Sequence, residues 1–132
     1  MVRIGMLCLS LGALAAPAPA QDADFGGRLF SSFCSSCHGE DAKGAGPLAA
    51  ILAIRPPDLT QLAAENGGVF PTARVTRQID GCDPELLHGG VMPLYGEYFD
   101  LPDTSIPSET GQPIVTAGPI ADMVIWLESV QE

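Results

Sequence analysis

The sequence predicts a small helical domain, and three observations point to it. Near one end Gly26, Phe30 and Cys34 recur every four residues, so on a helix they share one face. Near the other, Ile120, Met123, Val124 and Leu127 fall on a single apolar stripe at helical spacing. Across the chain Gly and Pro make up 27 of 132 residues while aromatics reach only 6%. That composition suits loops wrapped around something better than a dense side-chain core.

Residues 1–20 read as an export leader. Arg3 supplies a short positive start, residues 4–16 an apolar stretch, and Ala18-Pro19-Ala20 a small-residue cleavage site before Gln21. The apolar run is shorter than the roughly 20 residues a membrane-spanning helix needs, which disfavours an uncleaved anchor. Cys8 lies in the middle of that run, where a lipid-modified cysteine would not be. The expectation is an exported, periplasmic chain with one domain over residues 21–132.

Charge narrows the partners. Of six Lys and Arg residues only Arg3 falls in the leader, and none of the sixteen Asp and Glu does, so five basic residues face sixteen acidic ones in the remainder. Nucleic acid is excluded as a partner, because binding it depends on cations that neutralise phosphates. An anionic membrane surface is disfavoured for the same reason. A protein partner would be basic around its docking site, and association would slow as salt screens the attraction.

The elements follow in order. Asp22 or Asp24 caps the first helix, and Gly26 and Gly27 weaken it enough to need a reason. Close packing against another helix is that reason, and the terminal segment over 120–130, with Pro119 at its first turn, is the partner. Phe30 and Trp126 are read as core. Asp58 caps a short helix over 59–64, with Gln61 reaching back and Asn66-Gly67-Gly68 ending it. Residues 72–80 form another, closed by Gly81, with Val75 and Ile79 facing inward. Pro56-Pro57 imposes an extended stretch before the first of these. Residues 95–119 are rich in Pro, Ser, Thr, Gly and Asp and show no helical or strand period, so they are read as one long loop.

The cysteines carry the chemistry. Cys8 departs with the leader, and three remaining thiols cannot pair completely. Cys34-Ser35-Ser36-Cys37-His38 is the C-x-x-C-H pattern of covalent haem attachment, in which two thiols add to the vinyl groups and the adjacent imidazole reaches the iron. Two alternatives stand beside it. A redox-active disulfide would want an alternating α/β setting, which the chain lacks. A zinc site would have only Cys82 and His88 left as further ligands. Cys82 itself is a free thiol, an intermolecular bridge or a small buried side chain, the last being the commonest fate of an unpaired cysteine.

The sixth iron ligand largely decides the function, since a His/Met iron has a raised potential and no open position for substrate. With the leader gone, only Met92 and Met123 remain, and Met123 sits within the terminal stripe. Met92 lies in Gly89-Gly90-Val91-Met92-Pro93, whose glycines allow close approach to a ring and whose proline stiffens the exit. His88 is the competitor, and its ligation would lower the potential.

Taken together, Gly26-x-x-x-Phe30-x-x-x-Cys34 leading into Cys34-x-x-Cys37-His38-Gly39, then Gly44-x-Gly46-Pro47-Leu48, Met92-Pro93 and the aromatic-bearing terminal helix resemble the class I c-type cytochromes over essentially the whole chain after the leader. The resemblance implies an all-α fold with crossed first and last helices, short helices and loops around one covalently bound haem c, and Met92 as axial ligand. It also implies that the Pro47 carbonyl accepts from the second ring nitrogen of His38, although Pro47 follows His38 by only nine residues, a shorter spacing than in the mitochondrial members. Arg55 would be either a solvated surface residue or a partner for a haem propionate.

The function implied is a non-enzymatic one-electron carrier between a dehydrogenase and an oxidase or reductase, acting as a monomer or in brief complexes. A fixed haem subunit of such a complex is the alternative, and a haem enzyme or gas-binding protein with an open iron position is a further one.

Overall fold

The computed structural model describes residues 21–82, 92–99 and 102–132. The expected leader over 1–20, His88 and the glycines preceding Met92 lie outside the described residues.

The first helix, α1 (Ala23–Phe33), starts where expected. Asp22 has extended backbone, and its carboxylate accepts from the Phe25 N–H at 2.9 Å, so Asp22 rather than Asp24 is the cap. The terminal helix, α5 (Gly118–Ser129), carries Pro119 in its first turn. These two helices make the most extensive contact between elements of the structure. Gly26 explains how they come so close: a Cβ there would fall on the backbone carbonyl of Asp122. At Gly27 it would stand 2.8 Å from the Trp126 ring nitrogen. The Asp22 N–H donates to the Asp122 carboxylate at 2.7 Å, which pins the start of α1 to the same turn of α5. Phe30, Ile120, Met123, Val124 and Leu127 are buried where the pair meets.

Among the described residues five shorter helical pieces lie between them, one of them the 3-10 turn Ala49–Ile51. A single turn, α2 (Ser35–His38), follows α1 directly. Asp58 caps the next segment as predicted, accepting from the Thr60 N–H at 2.9 Å and the Thr60 hydroxyl at 2.6 Å. That segment is a 3-10 turn, Leu59–Gln61, continuing into α3 (Leu62–Glu65), rather than one α-helix over 59–64. The Gln61 amide donates to the Thr60 hydroxyl at 3.3 Å and does not reach back to Asp58. The next helix, α4 (Thr72–Asp80), ends on Gly81, whose left-handed backbone (φ 86°) lets its N–H donate to the Arg77 carbonyl at 3.0 Å. Val75 and Ile79 are buried, as their spacing predicted.

The all-α expectation needs correction: the structure is mostly helical, with a β-hairpin inside the stretch read as an unstructured loop. Strands β1 (Thr104–Pro107) and β2 (Pro113–Thr116) pair antiparallel, with Thr104 opposite Thr116 and Ile106 opposite Ile114. Ile106 and Thr116 are buried, whereas Ser105 and Val115 face water. A period-2 pattern is therefore present, but four residues long and bounded by Pro107 and Pro113, which obscure it in the sequence. β1 lies against α5 and β2 against α4, so the hairpin covers one side of the helical core.

The hairpin loop also completes α4. Pro71 at the helix start offers no side-chain cap, and the Glu109 carboxylate takes that place, accepting from the Ala73 N–H at 3.0 Å. This bond holds the Glu109 carboxyl below its ordinary pKa. A depressed carboxyl contributes stability above its unfolded pKa and loses it as pH falls through the folded value. Glu109→Gln is therefore expected to lower stability near neutral pH by about 0.5 kcal/mol, the low end of the capping range because the site is solvent-screened. The difference should shrink toward zero below the ordinary glutamate range, which thermal melts at pH 7 and pH 3 would measure.

Candidate functional site

The two thiols and the imidazole are set by the junction of α1 and α2. The Cys34 N–H still bonds to the Phe30 carbonyl at 2.8 Å, so α1 delivers it. The N–H groups of Cys37 and His38 then both turn back to the Cys34 carbonyl, at 3.1 and 2.9 Å. Ser35 steadies the junction by donating its hydroxyl to the Ser31 carbonyl at 2.7 Å. One helical turn thus brings Cys34, Cys37 and His38 together, each half-buried. The Phe30 ring lies tilted against Trp126, with centroids 4.5 Å apart, and 6.5 Å from the His38 ring.

The following loop is laced onto this turn. Gly44, Gly46 and Leu48 donate their N–H groups to the carbonyls of His38, Cys37 and Ser36 at 2.7, 3.1 and 2.8 Å. Gly46 is obligatory for that approach, since a Cβ would stand 2.5 Å from the Ser35 carbonyl oxygen and 2.6 Å from that of Ser36. The Gly-x-Gly-Pro-Leu segment is thus a brace on the backbone of the attachment turn.

Pro47, expected to supply the carbonyl for the second ring nitrogen of His38, makes no hydrogen bond to that nitrogen in the structure. Pro47 lines an open cleft of about 660 Å³ with Ser35, Ser36, Glu40 and Asp41. The nearby backbone of Pro57 tends to raise the pKa of the imidazole. Burial opposes this and is the larger effect, so the ring is held below its ordinary pKa and stays neutral, as a metal ligand must. The Nδ1 of His38 is buried with no partner of full hydrogen-bond geometry among the described residues. Gly44, Gly46 and Leu48 turn their N–H groups toward the attachment turn, and the Pro56-Pro57 stretch passes close to Gly44.

Met92 is half-buried and packs against the core cluster, and the Gln78 amide donates to its sulfur at 3.8 Å. Met123 is only 1% exposed within the core, as its place on the stripe predicted. Sequence reasoning missed what holds the Met92 segment. The Tyr95 N–H donates to the Ile79 carbonyl at 2.9 Å and the Gly96 N–H to that of Asp80 at 3.1 Å, tying the segment to the end of α4. The Tyr95 hydroxyl donates to the Phe33 carbonyl at 2.9 Å, one residue before Cys34. Phe33, Tyr95, Tyr98 and Phe99 form one aromatic cluster, with Phe33 5.3 Å from both Tyr98 and Phe99. The close spacing of three aromatics over 95–99 was the available signal.

Burial, and secondarily the neighbouring Cys37, pushes the Cys34 thiol up to about 11. Such a thiol stays protonated near neutral pH, the opposite of the depressed thiol that a disulfide oxidoreductase uses as its nucleophile. Cys82, past the end of α4, is exposed rather than buried, and its N–H donates to the Asp80 carboxylate at 2.8 Å.

Two thiols on one helical turn, a neutral imidazole directly after them and a methionine segment bound back to the same helix define a protein built to carry a covalently attached haem. The family model for cytochrome c matches residues 23–131, and the chain belongs to the cytochrome c family. No curated protein and no solved structure matches the chain at a significant level. The family binds haem c through the two cysteines of this motif, and here these are Cys34 and Cys37. Two half-buried thiols on one turn with a neutral imidazole directly after them are a donor set that fits that group. Haem-based electron transfer is the family's activity. No helix among the described residues is long and apolar enough to cross a membrane.

Proposed function

We propose that the protein is a class I c-type cytochrome of the periplasm, a one-electron carrier whose single haem is ligated by His38 and Met92 and which passes electrons between a dehydrogenase and an oxidase or reductase. The observation that carries this reading is the rigid presentation of His38: its turn is braced by three backbone bonds from residues 44–48. Haem held between imidazole and thioether supplies a metal centre that cycles between two charge states with its coordination closed. The chain's part is to keep both ligands still, so that little rearranges when an electron arrives or leaves.

Tyr95 contributes on the methionine side by linking the Met92 segment to α4 and to the Phe33 carbonyl. Leu48, Ile51 and Ile54 stay exposed on the segment that follows the brace, and apolar side chains so close to the attachment turn suit an apolar ligand face or a docking partner. With five basic against sixteen acidic residues after the leader, that partner is a redox protein with a basic docking site, engaged weakly and briefly.

A redox titration with spectra tests the reading. Produced where haem maturation takes place, the polypeptide should carry one haem that survives denaturation, show a low-spin spectrum and titrate as a single one-electron couple. A colourless product, a haem released on denaturation or rapid carbon monoxide binding by the reduced protein would overturn it.

A further inference from the structure

Four consecutive residues at the end of α4 grip the methionine segment. Ile79 and Asp80 offer their carbonyls to the N–H groups of Tyr95 and Gly96, at 2.9 and 3.1 Å. A Cβ on Gly96 would fall on the Asp80 carbonyl, so only glycine allows that approach. Gly81 closes the row against Leu94, where a Cβ on the glycine would stand 2.9 Å from that of the leucine. The fourth residue, Gln78, contributes its side chain rather than its backbone: its Nε2 donates to the Met92 sulfur at 3.8 Å.

The register of α4 aims this amide. Val75, Thr76 and Ile79 are buried on the inward face of the helix, whereas Arg74 and Arg77 are exposed. Gln78 lies between the two faces and is half-buried, as Met92 is. Ordering two long side chains against each other ordinarily costs rotamer entropy. Here the backbone on both sides is already fixed by the Tyr95 and Gly96 bonds, which lowers that cost and holds amide and sulfur opposite each other.

A thioether sulfur is a weak acceptor with two lone pairs, of which an iron ligand uses one. We propose that Gln78 is a positioning residue for the sulfur ligand: by holding one lone pair of Met92 it presents the other to the iron, and it raises the midpoint potential. This rests on the reading of Met92 as sixth ligand. A donor that draws electron density from the sulfur leaves it a poorer ligand for the more charged, oxidised iron, and hydrogen bonding around the ligands is one of the protein's means of setting a haem potential.

The test compares holo-proteins. Gln78→Leu removes the amide; Gln78→Asn, one methylene shorter, withdraws it from the sulfur and reads the same quantity should the first not fold. Gln131→Leu is the control, because the Gln131 amide is also half-buried but bonds to the Leu59 carbonyl at 2.8 Å and the Ala63 N–H at 2.9 Å, in the 3-10 turn and α3. The expected result for Gln78→Leu is a fall in midpoint equivalent to roughly a threefold rise in the oxidised-to-reduced ratio, as for one modest hydrogen bond. At about 59 mV per tenfold for one electron this is about 28 mV. The direction discriminates, since leucine makes the surroundings more apolar, which alone would disfavour the more charged iron and move the midpoint upward. In the wild-type holo-protein a side-chain amide proton of Gln78 should also exchange more slowly than those of exposed Gln112. A midpoint that rises or matches the control, or a Gln78 amide that exchanges as fast as that of Gln112, overturns the proposal and leaves Gln78 a packing residue of α4. A wild-type protein without the red-edge band of sulfur-to-iron bonding would refute the Met92 reading itself, before any variant is made, and the inference with it.

Discussion

Replacing Gly26 by alanine is expected to destabilise the protein by about 3 kcal/mol, the upper end of what overpacking costs, although in an isolated helix the same change would help by about 1 kcal/mol. The sign reverses because the added carbon would fall on the Asp122 carbonyl, and a backbone carbonyl inside α5 does not rotate away as a side chain would. Relief requires the helices to part, which opens contacts at Phe30, Ile120 and Met123, all of them buried. Against a net stability of about 5–15 kcal/mol for a domain, such a loss is large. Denaturant unfolding followed by helical circular dichroism measures it. An alanine variant as stable as the parent would show that the two helices have slack at this crossing.

Met92→Ala should have the largest effect on function. Under the proposed His38/Met92 ligation the iron loses its sulfur ligand in this variant, and the weak red-edge band of the oxidised spectrum that reports sulfur-to-iron bonding disappears. The midpoint potential falls by on the order of 0.1 V, a fraction of the about 0.8 V over which axial ligands set haem potentials. Carbon monoxide binds rapidly to the reduced variant, because a position has opened. The fold survives, since Tyr95 and Gly96 retain their bonds to Ile79 and Asp80. His88→Ala is the matched comparison and should keep the band. If instead the band persists in Met92→Ala and the potential changes only in His88→Ala, the ligand is the histidine.

Much of the site was legible in the chain. The attachment motif is contiguous, so Cys34, Cys37 and His38 could be named without coordinates, and one helical turn is all that is needed to bring them together. The α1–α5 contact was also within reach, because Gly26 interrupts an amphipathic helix at the position where only a second backbone would need the room. Val75, Ile79 and Met123 were placed correctly by helical period. These predictions share a cause: each depends on spacing within one element, which the backbone repeat converts directly into a face.

Other features depended on segments distant in sequence. How residues 44–48 lace onto α2 and how the Pro56-Pro57 stretch passes Gly44 are visible only in the folded chain. The hairpin over 104–116 escaped because two-residue alternation in four-residue strands is too brief to stand out; its strands exist through burial of Ile106 and Thr116 against helices far away in sequence. Tyr95 and Gln131 carry no motif at all, and their roles are hydrogen bonds to Phe33, Leu59 and Ala63, 62 to 72 positions away. The amino-acid order alone thus names the cofactor, its attachment and the two helices that frame it, because covalent chemistry and helical period are local. How the ligand is oriented and how firmly it is held come from folding, because a backbone carbonyl or a side-chain amide acquires its partner only when distant segments are brought within 3 Å.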